Sequence, residues 1–235
     1  MRRKLHDVND HLAPPADAAT ELADVIGALE EDIIFGRLKP RERLIEEGLA
    51  RRFAVKRHVI REALAELEDH GLVAKERNKG CMVRDFAIRD VEQIYEMREL
   101  LQERAARRIR LPADALLVNR LTEIHRAHVA AISAGDLRRV FHLNNEFHDA
   151  LFAACDNPYL TESIAQYAYL AHAIRSYRIA DPVLLRQAAE EHAQMIAALD
   201  RGDRAELVRL CVEHINPAKE AYLRAYRLQL GSYAG

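Results

Sequence analysis

Asn144 and His148 stand four residues apart, so on a helix both side chains leave the same face. His192 and His214 flank the segment Asp200-Arg201-Gly202-Asp203, which reads as a tight turn between two helices. Across an antiparallel hairpin centred there, the two histidines sit nearly opposite, offset by about three residues or about 4.5 Å at the helical rise. A single ion can therefore bridge those helices, with His148 reaching it from a third. Imidazoles plus one oxygen ligand, with coordination positions left open, suit a divalent transition metal such as zinc, nickel or manganese. Open positions on such an ion accept a carboxylate. An isolated histidine is more commonly a packed core or surface residue. That ordinary role is expected for His125, His128, His142 and His172.

A second concentration of chemistry lies nearer the N-terminus. Residues 51–84 hold nine Lys or Arg against five Asp or Glu, in a chain whose formal net charge is −2. Contact with a polyanion must therefore come from this local patch rather than from bulk charge. Lys56, Arg57 and His58 open a helical pattern, and Arg61 follows Arg57 by one turn. Two arginines at that spacing share a face and each can fork onto a guanine edge or a phosphate. Arg43 precedes another short helix, within reach of a backbone phosphate. Lys79 and Gly80 mark a polar tip suited to close approach to DNA, since glycine permits a tight hairpin turn.

The elements that must carry these residues follow from periodicity. Leu22, Val25, Ile26, Leu29, Ile33 and Ile34 recur at helical spacing and predict a helix over 17–36. A turn held by Pro40 precedes short helices over 45–53 and 59–70. Residues 72–76 and 81–84 then read as a two-stranded hairpin. Three helices and a hairpin outline a winged helix-turn-helix over 17–85, behind a flexible leader, 1–16. From Ile88 onward the pattern is helical, with predicted helices over 88–110, 112–134, 136–155, 157–179, 183–199 and 203–229, the last kinked by Pro217. Short connections between them imply an antiparallel all-α bundle over 86–232.

Composition agrees. Hydrophobic residues make up 49% and charged residues 31%, enough for two cores, and nine Gly with seven Pro favour long helices over a many-turned sheet. No apolar run is long enough to span a bilayer, so a cytoplasmic protein without membrane contact is expected. Cys81, Cys155 and Cys211 are odd in number and widely spaced, which argues against a disulfide framework or a cysteine zinc site and leaves buried free thiols as the expectation.

The stretch ERLIEEGLARRFAVKRHVIREALAELEDHGLVAKERNKGCMV resembles the DNA-binding domain of the GntR family of regulators. The resemblance places Arg43, Arg57, Arg61 and Gly80 on DNA-contacting positions. It departs where Lys56-Arg57-His58-Val59 replaces the family's usual Ser-Arg-Thr-Pro. LNNEFHDALFAACDNPYL and EHAQMIAALDRGDRAELVRLCVEHI resemble the FCD ligand-binding domain of the FadR subfamily. That similarity implies metal ligands at Asn144, His148, His192 and His214, with Asn144 standing where the family usually has Asp. IYEMRELLQERAARR resembles the domain's opening helix, which implies that Arg98 faces an effector carboxylate, while Gln102 replaces a usual Glu. Arg175 and Tyr177 are further pocket candidates.

The reading that unites these features is a homodimeric, ligand-responsive transcriptional repressor of mostly α fold. It binds double-stranded operator DNA, a divalent metal and a small organic acid. Two rivals stay open on the residues alone. One is a metal-dependent enzyme of small acids carrying a DNA-binding module, although HExxH is absent and Glu191, adjacent to His192, is expected to point off the ligand face. The other is a DNA binder with a purely structural metal.

Overall fold

A computed structural model describes residues 22–76, 80–179 and 181–232, with side chains for 22–76, 80–175 and 181–227. The expected leader therefore lies outside the described residues. The chain divides into two compact units, Met1–Asp85 and Phe86–Gly235.

The first unit runs α1 (Leu22–Ile34), β1 (Arg43–Leu44), α2 (Glu46–Phe53), α3 (Arg57–Asp69), β2 (Val73–Glu76) and β3 (Gly80–Val83). Helix α1 buries Val25, Leu29 and Ile33, four residues apart, and packs on α3, whose Ile60, Leu64 and Leu67 form the facing stripe. Ala54, left-handed at φ 54°, ends α2 and lets the chain turn directly into α3. The sheet has three antiparallel strands in the order β1-β3-β2 rather than the two expected. Arg43 pairs with Met82 and Leu44 with Cys81, so Arg43 stands on a strand and not in a turn. A two-residue strand is too short for any alternation to announce it. Asp32, only 2% exposed, receives Arg52 Nη2 and Arg37 Nε, each at 2.5 Å, and so ties α1 to α2.

Glu30 on α1 carries a pKa raised to about 7 by burial first and by Glu66 and Glu31 second. Between the usual carboxyl value and about 7, the folded state holds a proton that the unfolded chain has lost. Stability of this unit therefore falls as pH rises through that window. Glu30→Gln is expected to flatten the thermal stability profile between about pH 4.5 and 7 and to leave the protein more stable than wild type above it. A profile that keeps its slope in the variant would assign the pH dependence to other groups.

Among the described residues the second unit is built of helices: α4 (Ile88–Arg108), α5 (Ala115–Ala134), α6 (Leu137–Ala153), α7 (Pro158–Leu170), α8 (His172–Ile179), α9 (Pro182–Arg201), α10 (Arg204–Glu213) and α11 (Asn216–Ser232). Two expected helices are each broken in two. Pro217 does more than kink the last one: lacking an N–H and crowding the carbonyl four residues back, it ends α10 at Glu213 and starts α11 afresh at Asn216. The break at buried Ala171 has no Gly or Pro to signal it. It arises where α7 packs on α4 while α8 packs on α11, which one straight helix cannot do. Helix α5 begins three residues later than expected, where Asp114 caps it by accepting Leu117 N–H at 2.8 Å.

The core gathers Phe147, Leu151, Met195, Leu199, Leu207 and Leu210 around Ala105 and Ala106 of α4. Gly202 turns α9 into α10 at φ 75°, and a side chain there would also meet Pro112 Cγ at 3.3 Å. Asp203 then caps α10 through Glu206 N–H at 3.0 Å. Among the described residues no helix is long and apolar enough to cross a membrane. Cys155 and Cys211 are buried free thiols, whereas Cys81 on β3 is half-buried.

Candidate functional site

Helix α3 presents the basic residues. Lys56 is its N-cap, Arg57 and His58 form its first turn, and Arg61 follows one turn later, all exposed. The acidic first turn of α2 holds the two guanidiniums: Arg57 Nη2 meets Glu47 Oε2 at 2.9 Å and Arg61 Nε meets Glu46 Oε2 at 2.9 Å. Pairs this exposed contribute under about 1 kcal/mol, so they orient the arginines without tying them up. Arg43 is exposed on β1, and Gly80 opens β3 at φ 81° with open space where a Cβ would be. Lys79 lies outside the described residues.

The second unit encloses a cavity of about 220 Å³. His148 from α6 and His214 at the end of α10 line one wall, and fully buried His192 from α9 converges with them, the ligating atoms of the three all within 4.8 Å of one another. His148 Nε2 lies 3.1 Å from His214 Nε2. Two nitrogens bonded at about 2.0–2.1 Å to one tetrahedral ion stand about 3.4 Å apart, close to the His148–His214 pair, so with His192 drawing in from the 4.8 Å spread this cluster could hold a metal. Asn144 lines the same cavity, one turn before His148. His192 is fully buried and stacked on Phe147, with ring centroids 4.0 Å apart. His214 Nδ1 faces Glu191 Oε2 at 2.5 Å, and Gln187 Nε2 donates to the other Glu191 oxygen at 2.8 Å.

Farther along the cavity the lining turns cationic. Arg98 of α4 is 6% exposed and its guanidinium lies over the Tyr95 ring. Burial lowers its pKa, yet a guanidinium stays protonated. Its Nε and Nη1 are buried without a hydrogen-bond acceptor among the described residues, and so is Gln102 Oε1, one turn on, without a donor. Arg175 donates to Asn145 Oδ1 at 2.9 Å and also lines the cavity. His172, buried beside them, is held neutral by burial first and then by the charges of Arg175 and Arg98. The Tyr177 side chain lies outside the described residues.

Two features add to the sequence reading. His128 and His172, expected as ordinary core or surface histidines, are buried and also line the cavity, and the His128 ring is 5.2 Å from that of His192. No spacing rule signals His172, because it enters through the break at Ala171. Glu191 was expected to point away from the ligands. It does leave the His192 face, but the hairpin brings His214 of the neighbouring helix against it.

Residues 22–83 match the bacterial regulatory proteins of the gntR family, and residues 93–217, more than half of the chain, match the FCD domain. The chain belongs to the GntR family. Its members and relatives are transcriptional regulators, not enzymes. The chain is 26% identical over 192 residues to the HTH-type transcriptional regulator YdhC of Bacillus subtilis, covering 80% of this chain and 84% of that protein. It is 25% identical over 198 residues to the HTH-type transcriptional repressor RspR of Escherichia coli, covering 82% and 85%. Among solved structures, E. coli McbR/YncC superposes with a TM-score of 0.71 at 21% identity, over 89% of this chain and all of that one. At that identity the likeness establishes the shared GntR fold, a winged helix followed by a helical FCD domain.

Proposed function

We propose that this GntR-family regulator is a homodimeric repressor whose FCD domain binds a divalent transition metal and a small organic acid, and that the acid releases operator DNA. The observation that carries the reading is a cluster of three convergent imidazoles, two of them lining a cavity, with a buried arginine on the same cavity whose Nε and Nη1 meet no acceptor among the described residues. His148, His192 and His214, with Asn144 as the oxygen donor, would hold the metal. When bound, the ion supplies Lewis-acid attraction for a carboxylate. Arg98 and Arg175 bind and orient the acid through charge-assisted hydrogen bonds, which strengthen in a site shielded from water. Neutral His172 adds a hydrogen-bonding group without a further positive charge.

On the DNA side, Arg57 and Arg61 read base edges while Arg43, Lys56, His58, Lys79 and Gly80 approach phosphates and groove walls. Paired winged helices match a two-fold operator, which supports the homodimer. The repressor named RspR among the relatives supports the sign of the control. For release, the acid must bind the DNA-free arrangement more tightly than the DNA-bound one.

The test is binding of the full-length protein to the DNA upstream of its own gene, followed by fluorescence anisotropy across a salt series. Affinity should fall steeply with salt as phosphate counterions are released. Arg61→Ala should weaken specific binding by about 1–3 kcal/mol, roughly 5- to 150-fold. Affinity that is absent, or indifferent to both salt and Arg61→Ala, would sink the reading.

A further inference from the structure

We infer that Glu191 is the positioning residue of the metal site, supplying through His214 the negative charge that Asn144 does not. The inference rests on the metal reading above. Asparagine at 144 gives the ion a neutral oxygen, so the three imidazoles and Asn144 together carry no formal charge against a divalent cation. Glu191 brings a carboxylate against a ligand ring: its Oε2 is 2.5 Å from His214 Nδ1.

That contact has a directional consequence. With Nδ1–H donating to the carboxylate, the lone pair of His214 sits on Nε2, the atom 3.1 Å from His148 Nε2. The carboxylate therefore selects the tautomer that can ligate, fixes the ring plane and makes the nitrogen more basic. Gln187, one turn earlier on α9, holds the second carboxylate oxygen at 2.8 Å and keeps Glu191 from rotating away. His214 is 3% exposed, whereas Glu191 is 16% exposed and also borders a polar crevice with Glu190, Gln194 and Arg209. The contact exists because α9 and α10 run antiparallel through Gly202 and because α10 stops where Pro217 requires, leaving His214 at its end opposite Glu191.

The experiment is a competition titration of zinc against a chromophoric chelator at one fixed pH, using the full chain. It is paired with melting curves of the metal-free proteins. Glu191→Gln keeps the shape and an acceptor oxygen but removes the charge. It is expected to weaken zinc binding by about 10- to 100-fold with the metal-free melting temperature unchanged. Asn144→Asp introduced into Glu191→Gln returns the charge from the other side and is expected to recover most of the loss. Wild-type zinc affinity in Glu191→Gln overturns the inference. So does a metal-free melting temperature several degrees lower, which would make Glu191 a structural residue, or failure of Asn144→Asp to recover affinity. A wild-type chain that binds no zinc overturns the metal reading itself, and the inference with it.

Discussion

Chelation of the wild-type protein is expected to lower its melting temperature, and His148→Ala is expected to erase that response. A metal present at about 100 times its dissociation constant adds about 2.7 kcal/mol to stability. In a chain of this size each kcal/mol is worth roughly 2–4 °C, so removal should cost about 5–10 °C. Replacing an outer partner of a metal ligand typically weakens binding about 10- to 100-fold. Removing one of three convergent imidazoles should exceed that range. His148 is the ligand to replace because it is only half-buried, whereas His192 is fully buried and its stacking on Phe147 would be lost as well. Calorimetric titration of zinc into both proteins, with melting curves before and after chelation, gives the answer. Equal affinities would show that the three rings do not act as one site. The same experiment separates sensing from structure. A metal that only braces the fold predicts full acid response in any protein that still melts cooperatively, while the proposed role predicts loss of that response in folded His148→Ala.

Asp32→Ala should be the most damaging single change in the DNA-binding unit. Its carboxylate is 2% exposed and neutralises Arg52, whose side chain is 8% exposed, together with the half-exposed Arg37. Truncation leaves the Arg52 guanidinium buried without its counter-charge, a loss of about 3–5 kcal/mol. Small domains are stable by about 5–15 kcal/mol in total, so the winged helix of the variant is expected to open and DNA affinity to collapse. The effector unit, which has its own core, should still bind zinc. Asp32→Asn keeps an acceptor but not the charge and should fall between the two. Urea denaturation read alongside DNA binding measures both consequences. A midpoint shift worth less than about 1 kcal/mol would reclassify the triad as a surface-like ion pair.

Much of the architecture was legible because it rests on local rules. The stripe of Val25, Leu29 and Ile33 can be buried only on a helix, and Gly202 with Asp203 can only turn and recap one. The rough opposition of His192 and His214 follows from a rise of about 1.5 Å per residue on both sides of that turn. What escaped the sequence depended on contacts between distant segments. Strand β1 exists because β3 offers it an edge, not because Arg43 and Leu44 favour extension. The helix breaks at Ala171 only because α7 and α8 pack on different partners, and that break delivers His172 to the cavity.

By itself the sequence determined the two-part helical plan and the basic face of α3, because each is written in spacings of a few residues along one element, and it singled out the three convergent histidines through the turn between His192 and His214 and the resemblance of the segment that holds His148. Tertiary structure alone decided the partners of those groups: Glu46 and Glu47 against the arginines, Glu191 against His214, and Arg98 buried with two donors unmatched among the described residues. Periodicity states which face a residue occupies. Which side chain from another element arrives at that face is set by how the helices pack, and no local rule records it.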